Sequence, residues 1–473
     1  MKKLSLILLL VLAAVLLSCG RRKAEFPNIV FIMADDLGWK DLGFMGSTYY
    51  ETPHLDRLAA EGMVFSQAYA AAANCAPSRA SLMTGTYATD HGIYTVASSE
   101  RGDARIRRII PAENTTVLDD AYVTLAEALK MAGYTTINIG KWHLGEDPCT
   151  QGMDLNVGGG SWGHPKSYFA PFIQPDLEAP EGSHLTDYLT REAVAFMRQH
   201  RTDPFFLYLP YYAVHTPLQA KSALEQKYTE KESQGCQQHP VYAGMVENLD
   251  SCIGSLLEEL DYLGLSENTL VVFTSDNGGI RHVSCQDPLR AGKGSYYEGG
   301  IRVPLVFRWP GRILAGSHAE TPVIHLDFFP TFMELTGSEV PADLDGFSLW
   351  PLLSRSGSLK ERPLFFHFPV YLEAYKRGRD GSRDPLFRTR PGSVIRKGHW
   401  KLQYYYEDGG VELYNLRDDV GETSNLAAAH PGITEDLLSR LMRWLEEEQA
   451  PVHFKTIPAY DSLFEQEASA GPY

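Results

Sequence analysis

Three things are scarce in this chain of 473 residues, and each scarcity excludes a class of protein. Positive charge is the first: 43 Lys and Arg stand against 59 Asp and Glu, a formal net charge of −16. Binding of nucleic acid or an acidic lipid surface needs clustered cations, so neither is expected. A local pocket can oppose the global sign, so a small anionic substrate stays open. Cysteine is the second. Cys19, Cys75, Cys149, Cys236, Cys252 and Cys285 are scattered, without the close pairs of a structural zinc site. Long apolar runs are the third, since none after residue 17 could span a bilayer. Internal repeats and low-complexity tracts are missing as well. What remains is ordinary for a globular body, with 44% hydrophobic and 22% charged residues. The length exceeds what one core usually supports, which favours a large domain with a smaller companion.

The first apolar run, Leu4 to Leu17, follows Met1-Lys2-Lys3 and fits a secretory signal better than a spanning helix. It ends Leu16-Leu17-Ser18-Cys19-Gly20, similar to a bacterial lipobox, whose cysteine is lipidated and becomes the mature N-terminus. Residues 1–18 are therefore read as a lipoprotein leader and 19–26 as a tether. The expected location is the bacterial envelope, exported and membrane-anchored. Arg21-Arg22-Lys23 carries no acidic tract of the kind linked to surface export, which favours the periplasmic side. Export permits disulfides among Cys149, Cys236, Cys252 and Cys285, and all three full pairings are open.

Asn28–Ala34 reads as a buried strand, and helical patterns follow at Leu55–Glu61, Ala76–Met83 and Val123–Met131. Thr135–Ile139, Phe205–Leu209 and Leu270–Thr274 read as strands, with helices at Leu185–Gln199 and Tyr242–Leu263. Short apolar strands alternating with helices predict an α/β fold: a large, mostly parallel sheet sandwiched by helices, over residues 27–350. From about residue 351 to 473 the pattern becomes successive strands, then a helix near Glu435–Glu447, predicting a small antiparallel-sheet subdomain.

Asp35 and Asp36 close the first strand, and Asp276-Asn277-Gly278-Gly279 closes a later one. Neighbouring strand residues point to opposite faces, so both aspartates can address one ion only where the chain turns. Three carboxylates and an amide at matching strand ends suit a hard cation such as Ca²⁺ or Mg²⁺. In Cys75-Ala76-Pro77-Ser78-Arg79, Pro77 fits the first turn of a helix that Gly85 ends. Cys75 then precedes a helix N-terminus that favours an anion, and Arg79 can turn back toward it.

That segment, with Leu82-Met83-Thr84-Gly85 after it, resembles the Cys-x-Pro-Ser-Arg…Leu-x-Thr-Gly pattern of the type I, formylglycine-dependent sulfatases. Gly140-Lys141-Trp142-His143-Leu144-Gly145, His215-Thr216-Pro217 and Lys293 match further elements of that family, in family order. The resemblance implies an alkaline-phosphatase-like fold whose C-terminal subdomain closes over the site. It implies that a maturation enzyme oxidises Cys75 to formylglycine, whose hydrated aldehyde attacks sulfur, giving a sulfo-enzyme intermediate. Asp35, Asp36, Asp276 and Asn277, with an oxygen on residue 75, would hold one Ca²⁺. Lys141 and Lys293 would bind sulfate oxygens, and Arg79 would steady the diol. His215 would protonate the leaving oxygen, and His143 would take a proton as sulfate departs. Imidazole suits both tasks because its pKa lies near neutrality.

The lipoprotein leader points to a sulfated carbohydrate, cut at a terminal sugar, as the substrate. His164 and His282 are candidates to line its pocket. The stretch from Lys376 to Lys401 holds nine cations against Asp380 and Asp384, and Arg390 and His399 are its candidates for substrate contact. Two rival readings are a phosphatase or phosphodiesterase of the same superfamily and an inactive glycan-binding lipoprotein. The first calls for Thr or Ser with two zinc ions and more Asp/His ligands. The second calls for a broken catalytic position, and none is broken.

Overall fold

The computed structural model describes residues 26–470, so the leader and Cys19 lie outside the described residues. Eight strands form the main sheet. They are β1 (Asn28–Ala34), β2 (Met63–Phe65), β3 (Thr135–Ile139), β4 (Leu155–Val157), β5 (Phe205–Pro210), β6 (Thr269–Ser275), β7 (Leu305–Arg308) and β8 (Ser317–Ala319). Their spatial order is β8-β2-β7-β6-β1-β5-β3-β4. The run from β6 through β1, β5 and β3 to β4 is parallel throughout, and only β7 runs against its neighbours. The sheet is thus mixed and mostly parallel, as the alternation of strands and helices predicts.

Every residue of β1 is buried, which is what a central parallel strand covered on both faces requires. Its side chains alternate between two cores. Val30, Ile32 and Ala34 pack with helices α2 (Leu185–Gln199) and α3 (Pro240–Tyr262). Ile29, Phe31 and Met33 pack with α1 (Cys75–Thr84) and α4 (Phe328–Thr336) on the other face. Helix α4 is short and mostly buried, and it goes unread in the sequence. No helix among the described residues is long and apolar enough to cross a membrane.

A second sheet is antiparallel: β9 (Leu364–Phe368), β10 (Gly392–Lys397), β11 (Trp400–Tyr405) and β12 (Val411–Asn415), in that order. Helix α5 (Pro431–Glu447) covers it through Leu437, Leu441, Trp444 and Leu445. A buried ion cluster fastens this sheet to the main body. Lys401 Nζ on β11 lies 3.0 Å from Glu298 and 2.9 Å from Glu422. One disulfide, Cys236–Cys285, is present, while Cys149 and Cys252 are free thiols.

Candidate active site

Four neighbouring parallel strands end at one place, and each delivers part of a polar centre there. β1 leads into Asp35 and Asp36, β6 into Asp276 and Asn277, β3 into Lys141 and His143, and β5 into the turn that carries His215. Carboxyl ends of parallel strands are where α/β sheets leave room for ligands. Asp36 has a left-handed backbone, φ 62°, and this is the turn that lets both aspartates face inward. Gly140 has φ 115°, and a Cβ there would meet the Pro210 carbonyl oxygen at 2.1 Å. Only glycine lets the chain leave β3 so close to the end of β5.

Helix α1 places Cys75 at the centre. The helix begins at Cys75 itself, one residue earlier than the sequence suggests, and closes at Gly85 with φ 71°. Cys75 Sγ lies 3.5 Å from Asp35 Oδ1, 3.9 Å from Asp36 Oδ1 and 3.2 Å from Lys293 Nζ. Lys293 comes from the loop after β6, where its N–H donates to Gly279 O. Lys141 Nζ donates to Asp35 at 2.7 Å, and Lys293 pairs with Asp36 at the same distance. Arg79 does not turn back to Cys75. Its Nε and one terminal nitrogen fork onto Asp276 Oδ2 at 3.0 and 2.8 Å, and the other donates to Lys141 O at 2.9 Å. Both donors share one carboxylate oxygen, and the fixed geometry of the planar guanidinium sets its direction.

The electrostatics follow from burying three carboxylates with three cations. Burial, reinforced by Asp276, pushes Asp35 up to about 7 even though Lys141 pulls the other way. For Asp36 and Asp276 burial also acts upward, but the surrounding cations together outweigh it, Lys293 foremost at Asp36 and Arg79 at Asp276, and both sit below the usual carboxylate range. Burial pushes the Cys75 thiol up to about 12, so the unmodified side chain is no thiolate nucleophile at neutral pH. Burial and Lys293 take His215 down to about 3. Burial and Lys141 likewise hold His143 well below its ordinary value. His215 Nδ1 lies 2.7 Å from Thr216 O and donates to it, leaving Nε2 facing Asp36 at 3.5 Å. His143 Nδ1 has no partner among the described residues.

Donor atoms of Asp35, Asp36, Cys75 and His215 all lie within 4.8 Å of one another. Asn277 donates its amide to Asp36 Oδ1 at 2.9 Å, while its own Oδ1 is buried without a partner among the described residues. Asp276 accepts the Asp36 N–H at 3.2 Å. An orphaned amide oxygen beside clustered buried carboxylates fits a cation.

The outer candidates divide. His164 belongs beside the centre, its ring stacked on His215 with centroids 5.9 Å apart and planes 6° apart. His282 stands further out, edge-on to Tyr375 at 5.8 Å. Arg390, a candidate for substrate contact, is tied up within the chain. Three carboxylates hold it, Asp384 at 2.5 Å, Glu407 at 2.8 Å and Glu465 at 2.9 Å. Glu465 lies on the C-terminal helix α6 (Ser462–Ala470), so that pair ties α6 to the body. His399 lies in the turn between β10 and β11, bonded to Arg417, and the structure does not bring it to the centre. Sequence reasoning missed Arg388. It is buried, donates to Lys293 O at 3.3 Å and lies 3.5 Å over the Tyr375 ring. Nothing in a run of nine cations distinguishes Arg388 from Arg390, because their partners are far away in sequence.

The family model described as Sulfatase matches residues 27–338. The chain belongs to the sulfatase family. A second family model, described as N-sulphoglucosamine sulphohydrolase, C-terminal, matches residues 292–450. A sulfatase of Formosa agariphila is 36% identical, with 95% of each chain covered. The N-acetylgalactosamine-6-sulfatase of Mus musculus is 36% identical over 76% of this chain and 72% of its own. Among solved structures, the crystal structure of Ps i-CgsB matches with a TM-score of 0.73 at 31% identity, covering 94% of this chain and 98% of that one. The fold is the alkaline-phosphatase-like fold of sulfatases, and the protein is a sulfuric ester hydrolase. Members of this family work with formylglycine and a metal ion, and the Asp–Asn–Cys75 constellation fits both.

Proposed function

We propose that this sulfatase removes sulfate from sulfated carbohydrates, working on a terminal sugar, with Cys75 converted to formylglycine and one Ca²⁺ at the carboxylates. The observation that carries this reading is the convergence of Cys75, Lys293, Lys141 and His215 on one point between Asp35 and Asp36. Two relatives support the carbohydrate: one is named for N-acetylgalactosamine, and Ps i-CgsB was also solved with k-i-k-neocarrahexaose.

Asp35, Asp36, Asp276 and Asn277 would hold the cation, and all-oxygen donors favour Ca²⁺. The cation supplies electrophilic pull on sulfate oxygens, and the hydrated aldehyde of residue 75 supplies the nucleophilic hydroxyl. The remaining work belongs to this chain's side chains. Lys141 and Lys293 neutralise the sulfate group as point charges inside a dry site, where each is worth more than in water. Arg79 fixes Asp276 and the Lys141 backbone, and so holds the two flanks of residue 75 together. His215 donates to the leaving oxygen as imidazolium, with its Nδ1–H anchored on Thr216 O. The negative sulfate group beside it favours that charged form. His143, held neutral with a free Nδ1, accepts a proton when sulfate leaves.

The test is release of sulfate against release of phosphate from paired esters, on protein whose residue 75 has been read by peptide mass spectrometry. Sulfate release with formylglycine and stoichiometric calcium is expected. Phosphate release alone, or zinc in place of calcium, overturns the reading.

Export and lipidation of Cys19 are proposed as well, on the leader alone. Labelling with a radioactive fatty acid, compared with Cys19→Ala, checks them.

A further inference from the structure

We propose that the cleft walled by His239, Arg281 and His282, and edged by Tyr375 and Lys376, binds the neighbouring sugar of a sulfated oligosaccharide together with an anionic substituent on that sugar. The inference rests on the carbohydrate sulfatase reading and adds a second recognition point to it.

Position is the first argument. The cleft has a volume of about 460 Å³. A short chain of contacts joins it to the reaction centre. The His282 ring meets the Tyr375 ring, which lies beneath Arg388; Arg388 binds the Lys293 carbonyl, and Lys293 Nζ touches Cys75. A sugar linked to the one that carries the scissile ester therefore has this cleft within reach.

Chemistry is the second argument. His282 forms no hydrogen bond among the described residues, and His239 uses only Nδ1, which accepts the Tyr242 N–H. Burial, with Lys376 nearby, pulls both imidazoles below their ordinary values, so at neutral pH they are uncharged partners suited to hydroxyl groups. Charge comes from Lys376, which forms no ion pair among the described residues, while Arg281 is paired with Asp287 at 2.8 Å. Tyr375 remains 40% exposed although a guanidinium lies over its ring, which leaves apolar surface for a sugar face.

The walls are also fixed in advance. The Cys236–Cys285 disulfide ties the segment before His239 to the segment after His282. Asp380, only 6% exposed, accepts the backbone N–H groups of Tyr375 and Lys376 at 2.7 and 3.3 Å, and its second oxygen has no partner among the described residues. A rigid polar cleft loses little entropy on binding.

The experiment compares kcat/KM, read as sulfate release, for matched probes. These are N-acetylgalactosamine 6-sulfate alone and joined to a uronic acid, and a galactose sulfate alone and within a carrageenan hexasaccharide. The full chain is expected to favour the larger member of a cleaved pair at least tenfold. In Tyr375→Ala and Lys376→Ala, both exposed positions where folding is not at stake, the larger-to-smaller ratio should fall at least fivefold, chiefly through KM. Sulfate release with a ratio that neither variant moves overturns the subsite alone. Failure of the unaltered protein to release sulfate from any probe overturns the carbohydrate reading, and the subsite with it.

Discussion

Lys293 Nζ lies 3.2 Å from Cys75 Sγ and 2.7 Å from the Asp36 carboxylate, so one ammonium group touches both the proposed nucleophile position and a proposed metal ligand. Lys293→Ala removes a charge aimed at the reacting group from a site that is otherwise dry. The expected loss is on the order of 10²–10³ in kcat on a sulfate ester, the scale of a lost oxyanion donor. Steady-state sulfate release checks it.

Arg79 is fully buried and forks onto a fully buried Asp276. Arg79→Lys keeps a charge but loses the fork, and leaves part of the carboxylate unmatched. Breaking a buried pair costs about 3–5 kcal/mol, and the conservative change should approach the lower figure. Thermal melting of the purified variant should show a clear drop, together with loss of bound metal by elemental analysis.

His215→Ala should damage hydrolysis of sugar sulfates far more than that of activated aryl sulfates, because only the poorer leaving group needs its proton. A plot of log kcat against leaving-group pKa should steepen in the variant. Parallel lines for the two proteins would argue that His215 does something else.

Arg390→Ala should behave as a structural change. Asp384 and Glu407 lose their cation and Glu465 on α6 keeps only Arg108, so a fall of about 3 kcal/mol in stability is expected. Denaturant titration checks the loss. KM for a sulfated monosaccharide, measured at a temperature where the variant is folded, should stay near that of the parent.

Stability should fall as the solution is acidified from about pH 6.5. His91 is buried, accepts the Ile93 N–H at Nδ1 and lies 3.0 Å from Ser81 Oγ at Nε2, so its neutral form is fully satisfied. Burial takes it down to about 3. Its folded pKa is thus below the unfolded value of roughly 6.5, and the unfolded state binds the proton first. The stabilisation is complete above pH 6.5 and is lost as pH falls toward 3, with a slope of up to about 1.4 kcal/mol per unit. In His91→Gln the urea midpoint should depend less on pH across that window.

Much of the site was legible because its parts are local. Cys75, Pro77 and Arg79 share one helix, and Asp35, Asp36, Asp276 and Asn277 mark the ends of apolar strands that the structure forms at Asn28–Ala34 and Thr269–Ser275. The helix at Leu185–Gln199 and the strand at Thr135–Ile139 have the bounds their patterns suggest. The short strands β2 and β8 were unread because three residues carry too little periodicity. The charge-rich stretch after Lys376 misled for a different reason. Its cations looked free, yet Lys401 and Arg390 are satisfied by Glu298, Glu422, Asp384, Glu407 and Glu465. Arg388, the cation that does approach the centre, carries no mark in the sequence.

The sequence by itself determined the chemistry: which groups can attack, neutralise and carry protons, and that they stand at strand ends and on one helix. Only the tertiary structure decided the pairings. Arg79 finds Asp276 at a separation of 197 residues, Lys293 finds Cys75 at 218, and Cys236 finds Cys285 rather than Cys149 or Cys252. Side-chain patterns report neighbours a turn or a pleat away, whereas an ion pair or a disulfide forms wherever the packed sheet brings two groups within a few ångströms. The sparse positive charge followed the same rule. Its total was fixed by composition, but its concentration at Arg79, Lys141 and Lys293 came from helix α1, the end of β3 and the loop after β6 meeting at one place.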